Sequence, residues 1–148
     1  MKSVFFSAVV LIGAMFMSNQ VKAQPTVEGG AKIEFSKQTH DYGTIKYGAN
    51  GTSTFSFKNT GNAPLIISKA TGSCGCTVPS WPKTPIAPGA TSEITVKYDT
   101  KRPGPIAKSV TITSNAGNTP VKVIRIKGTV GPAPKSTSPV NNSGPGNN

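Results

Sequence analysis

Hydrophobic and polar side chains alternate with a period of two along several short segments of this chain. The clearest are residues 52–58 and 92–99. Successive side chains of a β-strand point to opposite faces, so this pattern predicts half-buried strands. Further strands are predicted at 31–36, 64–68, 106–114 and 120–130. No stretch of the sequence repeats with the period of an amphipathic helix.

Clusters of turn-forming residues separate the predicted strands, at 59–62, 88–89 and 115–118. His40-Asp41-Tyr42-Gly43 is predicted to form a turn or a strand switch, in which Gly43 is free to take a positive φ. Four prolines are predicted to keep residues 79–90 irregular. Together these features predict an all-β fold over residues 31–130, an immunoglobulin-like antiparallel β-sandwich of about seven strands.

The apolar members of the alternating pairs are predicted to form the core. They are Phe35, Phe55, Phe57, Ile66, Ile94, Val96, Val110, Ile112 and Ile126. In the last predicted strand the alternation slips by one residue between Val123 and Ile124. The slip predicts either a β-bulge or a strand that is buried on both faces.

Residues 1–23 have the pattern of a secretory signal peptide. An apolar run over residues 4–17 precedes Val21-Lys22-Ala23, and cleavage is predicted between Ala23 and Gln24. The run is too short for a membrane span. We therefore expect an exported protein, periplasmic or extracellular, with no integral membrane segment after cleavage.

The segments on either side of the predicted sandwich have few residues that could enter a core. Residues 24–30 are predicted to be a flexible lead-in, and residues 131–148, rich in Pro, Ser, Gly and Asn, a disordered tail. Removal of Lys2 and Lys22 with the signal lowers the formal charge from +11 to +9. The remaining basic residues are spread along the chain, which argues against nucleic-acid binding, where clustered Arg and Lys are favoured.

The two cysteines and the single tryptophan fall within Ser73-Cys74-Gly75-Cys76-Thr77-Val78-Pro79-Ser80-Trp81. On a regular strand the Cα atoms of Cys74 and Cys76 would be about 6.6 Å apart, near the upper limit for a disulfide. Gly75 can relax the backbone and bring the sulfur atoms together. One interpretation is therefore a local disulfide that rigidifies a turn, formed in an oxidising compartment.

Two other interpretations of Cys74 and Cys76 stay open. A closed zinc site requires four ligands, but Cu(I) accepts two or three soft ligands, and His40 is a candidate third ligand. Thiol–disulfide exchange is the other interpretation, although exchange enzymes mostly use Cys-x-x-Cys at the start of a helix.

His40 and Trp81 each have a structural and a functional interpretation. His40 is either a turn histidine that bonds to backbone beside Asp41 or a ligand. Trp81 either packs over the CGC turn or forms a ligand platform. His40 abuts Asp41 in sequence, which disfavours a hydrolase triad. We predict no catalytic residues and expect no cofactor.

Several motifs together resemble a known family. They are His40-Asp41-Tyr42-Gly43, Phe55-Ser56-Phe57-Lys58-Asn59-Thr60-Gly61, Pro64-Leu65-Ile66-Ile67, Ser73-Cys74-Gly75-Cys76-Thr77, Pro88-Gly89, Ser114-Asn115 and Gly128. Over about residues 33–130 the chain resembles the secreted bacterial family of unknown function DUF1573, and more widely the Ig-like domains of Hydin, ASPM and major sperm proteins. The resemblance implies an Ig-like sandwich and export, and it implies no activity.

The function predicted from the sequence is that of a secreted, non-enzymatic Ig-like binding or assembly module of the bacterial cell envelope. Its edge strands and loops would contact a protein or a glycan of the envelope. The alternative is a soft-metal (copper) or thiol-redox protein centred on Cys74 and Cys76.

Overall fold

A computed structural model describes residues 29–136, which form two packed β-sheets of four strands each. The predicted signal peptide, most of the lead-in and the tail from residue 137 onward lie outside the described residues. The strands are β1 (Ile33–Phe35), β2 (Thr39–Ile45), β3 (Thr52–Asn59), β4 (Ile67–Gly72), β5 (Thr77–Ser80), β6 (Thr91–Tyr98), β7 (Gly104–Ser114) and β8 (Val121–Val130). None of the described residues belongs to a helix long and apolar enough to cross a lipid bilayer.

The strand order is β1-β3-β6-β5 in the first sheet and β2-β8-β7-β4 in the second. The predicted all-β, immunoglobulin-like sandwich is therefore confirmed, with eight strands where about seven were expected. One pair differs from the antiparallel prediction, because β2 runs parallel to β8. After β1 the chain crosses to the second sheet, and β2 joins its edge in the same direction as the last strand.

The predicted strand switch at His40-Asp41-Tyr42-Gly43 is a bulged part of β2. The register of β2 against β8 shifts between Asp41 and Thr44, and Gly43 takes a positive φ of 61°. The bulge lies against Gly128, where a Cβ atom would come 2.8 Å from the Gly43 carbonyl oxygen. Gly128 therefore allows the two backbones to approach closely.

The core between the sheets contains most of the residues that alternation assigned to it. Seven of the nine are buried: Phe55, Phe57, Ile94, Val96, Val110, Ile112 and Ile126. Phe35 is only partly buried and packs against the core, with its ring centroid 5.4 Å from that of Phe57. The assignment of Ile66 is wrong, because its side chain is 44% exposed while its neighbours Leu65 and Ile67 point inward.

Two further local predictions are corrected. The pairing of β7 with β8 has a continuous register past Val123 and Ile124, so this strand contains no bulge there. Val121 is exposed and Val123 half-buried on the outer face of the sheet, which explains the apolar slip. Pro79 lies within β5 rather than in an irregular segment. The edge position of β5 permits this, because an edge strand needs hydrogen bonds on one side only.

Asparagine side chains secure the connections between strands. The Asn59 side chain is fully buried. Its amide nitrogen donates to the Ala63 and Ile86 carbonyls, at 2.8 and 3.0 Å. Its oxygen accepts from the Lys32 and Gly61 amides, at 3.3 and 3.0 Å.

At the same end of the sandwich, the Asn118 side chain bonds to both backbone groups of Ile33. This contact occupies part of the open edge of β1, a position where unpaired strands otherwise attract further strands.

Candidate functional site

The CGC segment forms the connection that carries the chain from the second sheet to the first. It begins after Gly72, the last residue of β4, and ends at Thr77, the first residue of β5. The Thr77 amide donates to the Cys74 carbonyl at 3.1 Å, which closes a β-turn. A Cβ atom on Gly72 would collide with the Thr77 carbonyl oxygen, so glycine at residue 72 allows the two arms of the connection to touch.

Within this turn the sulfur atoms of Cys74 and Cys76 are joined in a disulfide. Their Cα atoms are 5.2 Å apart, well inside the ordinary range for a disulfide. The turn, rather than an extended strand, accounts for this shorter separation. Cys76 is 7% exposed and packs into the core, whereas Cys74 is half-buried at its margin. The two cysteine residues therefore differ in their exposure to solvent.

Thr77 places a buried hydroxyl against both sulfur atoms. Thr77 is only 2% exposed. Its Oγ1 lies 3.5 Å from Cys74 Sγ and 3.8 Å from Cys76 Sγ. In the part of the chain that the structure describes, these sulfur atoms are the partners found for this hydroxyl. Because a disulfide carries no hydrogen, the hydroxyl is the donor in both contacts.

An open groove of about 660 Å³ runs beside the CGC turn. Its walls are the turn at 48–51, residues Gly75, Cys76 and Val78, and residues 97–101. Backbone hydrogen bonds hold the walls together, with the Gly48 amide donating to the Thr100 carbonyl and the Tyr98 amide to the Gly51 carbonyl. Val78 is 60% exposed at the rim, so the groove combines a fixed frame with an accessible apolar side chain.

The charged groups of the groove leave it positive. Asp99 lies 3.2 Å from the Arg102 guanidinium, and the Lys101 backbone amide, followed by Arg102, lowers the pKa of its carboxyl. Lys97 and Lys101 are exposed, and neither forms an ion pair with a described residue. An acidic ligand group would therefore meet two unneutralised ammonium groups in this groove.

His40 does not lie with the cysteines. It belongs to β2 at one edge of the second sheet, whereas Cys74 follows β4 at the opposite edge, with β8 and β7 between them. Adjacent strands are about 4.8 Å apart, so about 14 Å separates the two edges. His40 Nδ1 is 3.3 Å from Lys37 Nζ, and its ring packs edge-on against Tyr42. Burial, then the Lys37 charge, lowers the pKa of His40 below 6.5.

Trp81 follows β5 and packs half-buried against the hydrophobic core. The Lys83 ammonium group lies 3.0 Å from the centroid of its ring, a cation–π arrangement that covers one face. Its indole Nε1 is buried and has no partner among the described groups. A ligand platform at Trp81 would require Lys83 to move away, and this role stays a prediction.

The metal hypothesis also stays a prediction. Within residues 29–136 no cluster of three or more His, Cys, Asp or Glu side chains could hold a metal ion. Copper could bind Cys74 and Cys76 only after their disulfide had been reduced. The ion would then have either these two sulfur ligands alone or a third ligand from outside residues 29–136. The sheet order does not bring His40, the candidate third ligand, to the cysteines.

Sequence reasoning missed Thr77, Lys97 and Lys101 as members of this site. Thr77 follows Cys76 directly, but alternation does not tell which way a hydroxyl points once the chain turns. Lys97 reaches the groove because it pairs with Val78 across β5 and β6. Lys101 reaches it because it follows Thr100, whose carbonyl accepts from the Gly48 amide. The sequence shows that these lysines occupy exposed positions. Which exposed residues meet at the groove depends on the pairing of β5 with β6, which only the folded structure shows.

Taken together, the two packed sheets and their strand switch define a domain of the Ig-like β-sandwich class. Within that class, the profile of the family described as "Protein of unknown function (DUF1573)" matches residues 33–130. The chain belongs to this family, so the resemblance found in the sequence is confirmed. The search of curated protein sequences returned no match.

Solved structures support the same fold. A protein of unknown function from Porphyromonas gingivalis W83 is 20% identical and has a TM-score of 0.61, and the match covers 74% of this chain and 51% of that chain. The ASH/PapD-like domain 7 of human CEP192 is 13% identical with a TM-score of 0.56, covering 80% and 99%. The secreted serine protease VesC from Vibrio cholerae is 17% identical with a TM-score of 0.52, covering 67% and 23%. This chain therefore spans about half of the Porphyromonas protein.

Proposed function

We propose that this protein is a non-enzymatic binding module of the bacterial cell envelope. It is exported by its predicted signal peptide and holds a protein partner through the groove beside the CGC turn. The observation that carries the proposal is the groove itself, which joins three fixed segments, an exposed valine and two unpaired lysines at one end of the sandwich. Ligand-binding residues concentrate in loops that a rigid scaffold positions.

The open edge of β5 favours binding in the groove over the addition of a strand. The Asp99 amide donates to the Cys76 carbonyl, and hydrogen-bonding positions alternate along an antiparallel pair. Thr77 and Pro79 therefore direct their backbone groups away from β6. The Thr77 amide is already bonded to the Cys74 carbonyl, and Pro79 has no amide hydrogen. This edge offers acceptors without donors, so an added strand would pair poorly.

The chemistry of the groove favours an extended protein segment that carries acidic and apolar residues. Lys97 and Lys101 would receive its carboxylates, and Val78 would contact its apolar side chains. His40 and Asp41 are not among the residues that line the groove. His40 is neighboured by Lys37 and Tyr42, and Asp41 pairs with Lys127 at 3.2 Å on the strand beside it.

Site-specific photo-crosslinking in intact cells tests the proposal. A photoreactive amino acid replaces Val78 in the full-length, exported protein, and a second variant carries it at Val121. The two valines are matched controls, since they are 60% and 56% exposed, but Val121 lies on β8 of the other sheet. We expect one discrete protein adduct from Val78 in the envelope fraction, and none from Val121. A carbohydrate adduct, equal labelling at both sites or a cytoplasmic protein would contradict the proposal.

A further inference from the structure

We propose that the Cys74–Cys76 disulfide is a reversible thiol–disulfide exchange site, which accepts two electrons from a partner dithiol. This activity goes beyond the proposed binding function and rests on different observations. The observations are the local support of the turn, the unequal exposure of the two cysteine residues and the position of the Thr77 hydroxyl.

Hydrogen bonds hold the CGC turn without help from the disulfide. The Ser73 amide donates to the Ser109 carbonyl at 2.8 Å, and the Ser109 amide returns a bond to Ser73 Oγ at 3.1 Å. On the other arm the Asp99 amide donates to the Cys76 carbonyl at 2.9 Å. A disulfide that closes three residues also constrains the unfolded chain less than one that closes a long loop. The fold can therefore open and reform this bond without losing the turn.

The geometry separates the attacked sulfur from the leaving sulfur. Cys74 is half-buried at the surface, whereas Cys76 is 7% exposed and packs into the core. Space beside them is open, because a Cβ atom on Gly75 would meet no atom within 4 Å. We therefore assign Cys74 Sγ, in the more exposed residue, as the atom that an incoming thiolate attacks, and Cys76 Sγ as the sulfur that leaves with the charge.

Thr77 is placed to stabilise that charge. Its buried hydroxyl lies within 3.8 Å of both sulfur atoms. A disulfide sulfur is a weak acceptor, and a thiolate is a much stronger one because hydrogen bonds to charged groups are the stronger kind. The hydroxyl therefore donates most strongly after the disulfide has opened. Such differential stabilisation of a developing charge accelerates a reaction.

The exchange balances in two steps. A thiolate of the partner attacks Cys74 Sγ, the Cys74–Cys76 bond breaks, and a mixed disulfide forms while Cys76 leaves as a thiolate. The partner's second thiolate then attacks its own sulfur in the mixed disulfide and releases Cys74 as a thiolate. Both released thiolates take up protons from solvent. The protein gains two electrons and two protons, and the partner dithiol becomes a disulfide.

Redox titration of the folded, exported protein tests this site. The protein is equilibrated with glutathione buffers of varied ratio, quenched with an alkylating reagent and weighed by mass spectrometry. We expect the reduced and oxidised forms to interchange across these ratios while the circular dichroism spectrum is unchanged. A disulfide that stays oxidised at every ratio, and is reduced only after urea unfolds the domain, would overturn the proposal.

Variants of Thr77 and of each cysteine test the roles of these residues. Reduction by dithiothreitol should be about tenfold slower in Thr77→Val, as expected for a lost hydrogen bond to a charged group. Thr77→Ser, which keeps the hydroxyl, should react at close to the wild-type rate. With oxidised glutathione, Cys76→Ser should form a mixed disulfide at Cys74 faster than Cys74→Ser forms one at Cys76. Equal reduction rates for folded Thr77→Val and Thr77→Ser would overturn the role assigned to the hydroxyl. Equal rates of mixed-disulfide formation in folded Cys76→Ser and Cys74→Ser would overturn the roles assigned to the two sulfur atoms.

Discussion

Two glycines in the CGC connection, Gly72 and Gly75, should respond in opposite ways to substitution by alanine. A Cβ atom on Gly72 would collide with the carbonyl oxygen of Thr77 and lie 3.0 Å from its carbonyl carbon. The obstacle is backbone, which cannot rotate away as a side chain can. At Gly75 a Cβ atom would meet no atom within 4 Å, and neither glycine has a positive φ.

The expected magnitudes follow from these contacts. Gly72→Ala must push apart the end of β4 and the start of β5, and overpacking of this kind costs about 1–3 kcal/mol. Gly75→Ala adds a methyl group in open space and reduces the freedom of the unfolded chain, which stabilises by about 0.4–1 kcal/mol. The free energies of unfolding of the two variants should therefore differ by about 2–3 kcal/mol, with Gly75→Ala the more stable.

Urea unfolding followed by the fluorescence of Trp81, the single tryptophan, measures this difference. For a small domain the urea slope is about 1–3 kcal/mol/M, so the two midpoints should be separated by about 1 M. Thiol quantification of both variants serves as a control that the disulfide is intact. Equal midpoints, or a lower midpoint for Gly75→Ala, would refute the argument that the Gly72–Thr77 contact fixes the turn.

Three further predictions concern stability. Asn59→Ala should lower the free energy of unfolding by about 3 kcal/mol, because it leaves buried backbone groups without partners; chemical denaturation measures this, and the exposed Asn62→Ala should change little. Cys74→Ser should lower the free energy of unfolding by about 1.6 kcal/mol, the loop entropy of a three-residue ring, and reduction of the wild-type protein should lower it by a similar amount. A loss of about 4 kcal/mol in either case would contradict the argument that this short disulfide constrains the unfolded chain only weakly. Because the folded pKa of His40 lies below 6.5, its contribution to stability is present above pH 6.5 and is lost as the pH falls through the folded pKa. Denaturation at pH 7.5 and at pH 5.5 should show this loss of stability. If His40→Gln loses the same stability between these pH values, a group other than His40 causes the loss.

The regular strands could be predicted from the sequence because their pattern is local. In β3 and β6 every second residue faces the core, so Phe55 and Ile94 were identified by alternation alone. The pattern fails where a neighbouring segment decides the geometry. Ile66 looks like a core residue in an apolar run, but Leu65 and Ile67 on either side of it are the buried ones, so Ile66 faces outward, where its backbone amide bonds to the Asn115 side chain.

The candidate site could be predicted only in part for the same reason. The two cysteines and their spacing are visible in the sequence, and they indicated a local disulfide. The groove depends on contacts between distant segments, such as the bond from the Tyr98 amide to the Gly51 carbonyl. The separation of His40 from Cys74 depends on the order of four strands. Neither is fixed by any short stretch of residues.

We propose that the positive groove beside the CGC turn binds an acidic segment of an envelope protein. Crosslinking from residue 78 in a chain that also carries Lys97→Glu and Lys101→Glu tests it most directly. Both lysines are exposed and have no ion pair within the described residues, so their reversal should leave the fold intact. We expect the adduct formed from residue 78 to disappear while the urea midpoint stays close to that of the wild type. An adduct that persists undiminished in the charge-reversed protein would contradict it.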